Sequence, residues 1–200
     1  EEFGGSNFGY LGLGQVLEAQ GRTIAASPLL STALIGASAL VIAGSQAQKE
    51  TYLPQIASGD LITALAVDEG AHHDPSHIKL AAKKSAGGYT LSGDKRYVVD
   101  GVEAGLLIVA ARTSGGESDT SGITLFLVQG DARGVSRTAL KTLDAHAAAN
   151  ISFANVEVGA DAVLGTVDAG FATLEQILDR ARIGLAAAAL GAADAAFEMT

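Results

Sequence analysis

Asp68, Glu69, His72, His73, Asp74 and His77 crowd one short stretch, DEGAHHDPSH. Imidazoles and carboxylates are metal ligands, and His73 and His77 would share a face at i and i+4 if the stretch were helical. Gly70 and Pro75 predict a loop between strands instead, so the stretch reads as an exposed polar loop and no metal is expected. Gly12-Leu13-Gly14 is half of a dinucleotide-binding fingerprint, but no strand precedes it and Leu17 takes the place of the third glycine. His146 stands alone, and no Ser-His-Asp set has a recognisable context. Arg182 has two readings: a surface ion pair with Asp179 or Glu175, or a guanidinium holding a carboxylate or carbonyl in an active site. Tyr97, in KRYVVDG, is either a core aromatic with its hydroxyl at the rim or a ring that stacks on a planar cofactor.

The composition limits what these residues can serve. The chain has 200 residues, of which 48% are hydrophobic and 18% charged, which excludes disorder, and no cysteine, which excludes disulfides, thiolate metal sites and a cysteine nucleophile. Absence of cysteine fits a reducing compartment, and a cytoplasmic location is expected. With 13 basic and 22 acidic residues the formal charge is −9, which repels a phosphate backbone, so nucleic acid is excluded as a partner. The apolar run from Leu29 to Gly44 is broken by Ser, Thr and Gly and falls short of the roughly 20 residues of a membrane span, so a buried helix is expected there. No basic segment opens the chain, and the helical pattern still runs at its last residues, so both ends read as cuts in a longer protein.

The texture changes twice along the chain. Leu11, Val16 and Leu17, then Leu34, Leu40 and Val41, recur at helical spacing. Ser45 opens a third, short helix that Gly59 closes, with Pro54 set to distort its last turn. From Leu61 to Leu164 short runs such as LITALAV, GLLIVAAR and ITLFLVQ alternate with glycine-rich turns, which predicts a sandwich or partly closed barrel. GGESDTSG, 115–122, is the most exposed and mobile loop expected. From Gly170 the pattern is again helical, rich in alanine and narrow on its polar side, so that helix requires partners on nearly every side. The expected organisation is α+β and multidomain: a helical N-terminal domain over 1–60, a β domain over 61–165, and over 166–200 the first helix of an incomplete bundle.

Five strings in order carry a family resemblance: EEFGG at the start, GSQAQKETYLPQIASGD at 44–60, GYTLSGDKRYVVDG at 88–101, GITLFLV at 122–128 and ISFANVEVGADAVLG at 151–165. With the closing DRARIGLAAAALGAADAAF, the chain resembles the acyl-CoA dehydrogenase family. The resemblance implies a helical N-terminal domain, an antiparallel β domain and a C-terminal four-helix bundle, with FAD between the β domain and the bundle. It implies α,β-dehydrogenation of an acyl-CoA thioester to the trans-2-enoyl-CoA, with the hydride passing to FAD. It further implies an electron-transferring flavoprotein as partner, and a homo- or hetero-oligomer of such subunits.

By the same resemblance the flavin-facing residues are Leu65, Val67, Asp68, Tyr97 and Val99. The family string there reads T-E-P-x-x-G-S-D. Here Asp68 takes the threonine position, Gly70 the proline position, and one residue is missing. A carboxylate about 4 Å from a reduced, anionic flavin would repel it by roughly 4 kcal/mol at an effective dielectric near 20. Tyr97 matches the aromatic that covers the ring, whereas Val99 replaces a hydroxyl donor. The catalytic base is expected beyond Thr200; its alternative position, one residue before Arg182, is Ala181, which cannot abstract a proton. The resemblance thus leaves two readings: an FAD-dependent dehydrogenase, or a degenerate, non-catalytic subunit that shapes the site of an active partner.

Overall fold

A computed structural model describes residues 2–143 and 146–200; the opening Glu1 of the EEFGG string lies outside the described residues. The helical part starts with α1 (Gly9–Thr23), within which Gly12 and Gly14 lie, so no strand-to-helix phosphate loop exists there. The apolar run is helical but not one α-helix: Leu29–Gly36 winds as a π-helical segment and passes into α2 (Ala37–Ala43). Cross-bonds to the sheet accompany the wider turn. The Thr63 hydroxyl donates to the Ser31 carbonyl at 3.1 Å, and the Thr63 amide donates to the Thr32 hydroxyl at 3.0 Å, so one backbone carbonyl and one side chain of this segment are engaged outside its own ladder. Nor is the run buried all round, since Val41 is 56% exposed.

The third helix, α3 (Gln46–Ser58), has the predicted start and stop. Ser45 and Gln48 form a reciprocal capping box, and Gly59 ends the helix at φ 82°. Pro54 does not end the helix, which continues to Ser58; Glu50, whose carbonyl the proline leaves without its donor, is an exposed residue.

The strands are β1 (Thr63–Ala66), β2 (Ala81–Ser85), β3 (Gly88–Val98), β4 (Leu106–Arg112), β5 (Ile123–Gln129), β6 (Val135–Ala139), β7 (Ala149–Gly159) and β8 (Val163–Leu164). They form an eight-stranded sheet in the order β6-β7-β3-β2-β4-β5-β8, with β1 paired to β4 off this path. Most pairings are antiparallel as expected, but β1 runs parallel to β4, and β2 meets β4 in parallel at Ala81 and Arg112, so the sheet is mixed. One face is sealed by strand residues of β1 to β5 and β7, among them Leu91, Leu107, Val109, Phe126 and Ile151. Tyr89 of β3 meets Phe126 of β5 edge-on at 5.0 Å although two strands lie between them in the sheet order, so the sheet curls over its own core. The opposite face of β4 and β5, with Leu106, Ile108 and Leu125, packs on Leu40, Leu53, Leu174 and Ile177 of the helices. Burial on both faces is why GLLIVAAR and ITLFLVQ read as continuous apolar runs rather than alternating ones.

The 115–122 loop is exposed as expected, but it is tied down. Arg112 donates to the carbonyls of Glu117, Asp119 and Ser121 and, across the loop, to that of Ile78. The closing helix, α4 (Gly170–Glu198), crosses α1 where both are stripped of side chains: a Cβ on Gly21 would overlap the Ala188 carbonyl, and one on Gly191 the Glu18 carbonyl. Arg22 clamps the crossing by pairing with Asp194 and, at 2.6 Å, with Glu198.

Candidate functional site

Beyond the end of β1 the chain runs beside β3, with the Arg96 amide donating to the Asp68 carbonyl at 2.7 Å. At the same level the β3–β7 register slips between Lys95 and Val98, and Tyr97 adopts φ 50°. A left-handed aromatic residue costs on the order of 1–2 kcal/mol, held here by the Tyr97 amide donating to the Asn150 side chain at 3.1 Å. The bulge buries Val98 and turns Tyr97 outward, leaving it 54% exposed. The core reading of Tyr97 is therefore wrong: the bulge moves the ring off the inner face.

A cleft of about 180 Å³ lies under that ring. Leu65, Val67, Val99 and Tyr97 form its sheet side, and Asp68 with His73 its lip. Leu30, Ser31 and Ile35 of the π-helical segment and Leu178 of α4 form the helical side. All the residues that the sequence placed against a flavin thus share one cleft. Arg182 and Ala181 are not among its lining. Arg182 lies outward on α4, half exposed, 2.7 Å from Asp179 and 3.6 Å from Glu175, the arrangement of a surface ion pair.

Two arrangements, one behind the cleft and one at its lip, escaped the sequence reading. Lys95 is fully buried, its ammonium 2.8 Å from the Val67 carbonyl and 2.7 Å from Glu69. Glu69 also accepts from the amides of Lys79, at 2.8 Å, and Leu80, at 3.0 Å, so one carboxylate joins β3 to the segments before β2 and after β1. Burial pushes Lys95 down to about 8 against the pull of Glu69. The signal was strand alternation: Leu91, Gly93 and Lys95 share the inner face of β3, and a lysine there requires a carboxylate.

The second is the carboxylate of Asp68. It accepts from His73 Nδ1 at 2.9 Å and from the Asp74 amide at 3.2 Å, so the loop turns back on it. Asp74 is held below the ordinary carboxylate range by the Ser76 hydroxyl, which donates to it at 2.6 Å. His77 faces away toward Ser118 at 3.1 Å. Among the described residues no three His, Asp or Glu side chains are placed to share a metal ion.

Residues 1–60 match the model of the acyl-CoA dehydrogenase N-terminal domain, and residues 64–156 that of the acyl-CoA dehydrogenase middle domain. The chain belongs to the acyl-CoA dehydrogenase family. It is 35% identical over 208 residues to the mitochondrial isovaleryl-CoA dehydrogenase of Pongo abelii, covering 100% of this chain and 49% of that one. The cyclohex-1-ene-1-carbonyl-CoA dehydrogenase of Geobacter metallireducens is 32% identical, with 98% of this chain and 53% of that one covered. The crystal structure of an acyl-CoA dehydrogenase from Geobacillus kaustophilus superposes with a TM-score of 0.90 at 29% identity, over 98% of this chain and 53% of the other. The chain spans about half the length of the curated relatives it matches. The helical start, mixed sheet and start of a C-terminal helix are the family fold.

Proposed function

We propose that this chain is the N-terminal and central part of an FAD-dependent acyl-CoA dehydrogenase, divided into a helical domain over 1–60, a β domain over 61–165 and the first bundle helix over 166–200. The reaction is α,β-dehydrogenation of an acyl-CoA thioester to the trans-2-enoyl-CoA. The observation that carries this reading is the convergence of Leu65, Val67, Asp68, Tyr97 and Val99 on one cleft between the sheet edge and the helices.

The residues present fit a flat, largely apolar ring with a polar edge. Leu65, Val67 and Val99 give an apolar wall, and Tyr97 stands over it. Among the described residues the amides of Asp68, Glu69 and Gly70 donate to no other group of the protein, which leaves them for the ring's polar edge. When bound, FAD supplies the hydride acceptor. The protein's own part is to hold the ring and the acyl chain in register and to exclude water between sheet and helix. Lys95 and Glu69 fix the strand end that carries the amides. Arg182 lies outside this cleft, paired with Asp179 and Glu175. The base comes from beyond Thr200, since Ala181 cannot serve. Electrons leave to an electron-transferring flavoprotein, the subunits form an oligomer, and the location is cytoplasmic. Among the described residues no helix is long and apolar enough to cross a membrane.

Asp68, Val99 and Ala181 favour a second reading, a non-catalytic subunit of a heteromeric dehydrogenase that shapes its partner's site. Absorbance of the purified full-length protein separates the two. A flavin band, with turnover of an acyl-CoA panel by an artificial electron acceptor, is the expected result. A colourless protein that gains flavin only on co-expression with a related subunit would establish the second reading instead.

A further inference from the structure

We propose that Asp68 and His73 act as one dyad at the lip of the cleft, in which His73 Nδ1 holds the Asp68 carboxylate by hydrogen bonding and the imidazole supplies the hydrogen-bonding group that Val99 lacks. The inference rests on the flavin reading above and concerns this chain's own Asp68 and His73. Both Asp68 oxygens lie against His73 Nδ1, at 3.0 and 2.9 Å, and both side chains line the same cleft as Tyr97 and Val99. With Nδ1 given to the carboxylate, Nε2 is the ring atom left to bond a ligand, and the carboxylate fixes the imidazole's orientation. The Asp74 amide holds Asp68 Oδ1 at 3.2 Å, which keeps the carboxylate turned to the loop. Of the other charged groups nearby, Asp74 is engaged by the Ser76 hydroxyl, Lys95 by Glu69 behind the strand and Asp100 by the Ser31 hydroxyl, while Arg96 is exposed beside Tyr97. Bonded to His73, the Asp68 carboxylate is held in the loop; without that bond it would oppose a negative charge developing on a ligand in the cleft.

The test uses the full-length protein charged with FAD, comparing wild type, His73→Gln, Asp68→Asn and the double variant. The midpoint potential is read by equilibrium dye titration, and FAD affinity by flavin fluorescence. His73→Gln takes the imidazole from the carboxylate and leaves it the Asp74 amide, and reduction is expected to become about tenfold less favourable, a fall of about 30 mV for a two-electron couple. Asp68→Asn is expected to show no such fall, and the double variant is expected to recover most of it, a coupling that loss of fold does not produce. Equal potentials in wild type and His73→Gln, both with FAD bound, overturn the dyad and leave the flavin reading standing. A fall that persists undiminished in the double variant overturns the assignment of that fall to the Asp68 carboxylate. A full-length protein that takes up no FAD, alone or with a related subunit, overturns both.

Discussion

Lys95 has no exposed side-chain surface, and an ammonium so placed is tolerable only while Glu69 faces it. Lys95→Met is expected to destabilise the protein by about 3–5 kcal/mol in urea unfolding, because it leaves a buried carboxylate with two amides and no counter-charge. The pair also sets a pH dependence. The folded Lys95 titrates near 8 against an ordinary 10.5, so between those values the unfolded chain binds more protons and this group's contribution raises stability with pH. Wild type should show that rise and Lys95→Met should lack it; a parallel pH profile in both would remove Lys95 as the cause. On the cleft wall, Val99→Thr restores a hydroxyl beside Tyr97. Flavin affinity of the full-length protein is expected to gain about 1 kcal/mol, several-fold in Kd, measured by fluorescence titration.

At the scale of elements, α1 and α4 meet without side chains between them. Gly21→Ala puts a methyl group into the Ala188 carbonyl, and the helices must part. The expected cost is about 1–3 kcal/mol by thermal unfolding, the range of overpacked cores. Substituting Ala at Gly14, where a Cβ meets nothing within 4 Å, is the control that should cost nothing. The ends of α3 were legible because Ser45, Gln48 and Gly59 act locally, through their own backbone neighbours. The π-helical winding of Leu29–Gly36 was not legible, since Thr63, which bonds the Ser31 carbonyl and the Thr32 hydroxyl, lies about thirty residues further along. Arg112 likewise pins the 115–122 loop through carbonyls, and carbonyls carry no sequence signal.

For the whole molecule, the curled sheet puts β4 and β5 between two cores, one closed by the sheet on itself and one by the helices. Their amides are expected to exchange last in native-state hydrogen exchange, while α1, largely exposed apart from Leu17, exchanges early. Early exchange in β4 would show that the two cores do not unfold as one. Exposed apolar residues remain on α4, Ile183, Leu185, Leu190 and Phe197 among them, as its alanine-rich composition led one to expect of a helix that requires partners.

The sequence by itself determined what depends on local pattern: helices at both ends, short strands between them, the cap of α3 and an ordered set of strings that marks the family. The resemblance also grouped Leu65, Val67, Asp68, Tyr97 and Val99, although Asp68 and Val99 depart from the family pattern. Tertiary structure alone decided how those positions present themselves. A register slip against β7 turned Tyr97 outward, a histidine several residues away took up Asp68, and Glu69 made a buried lysine tolerable. The physical reason is range: caps and periodicity act within a turn or two of the chain, whereas bulges, charge pairing and burial depend on segments that only folding brings together.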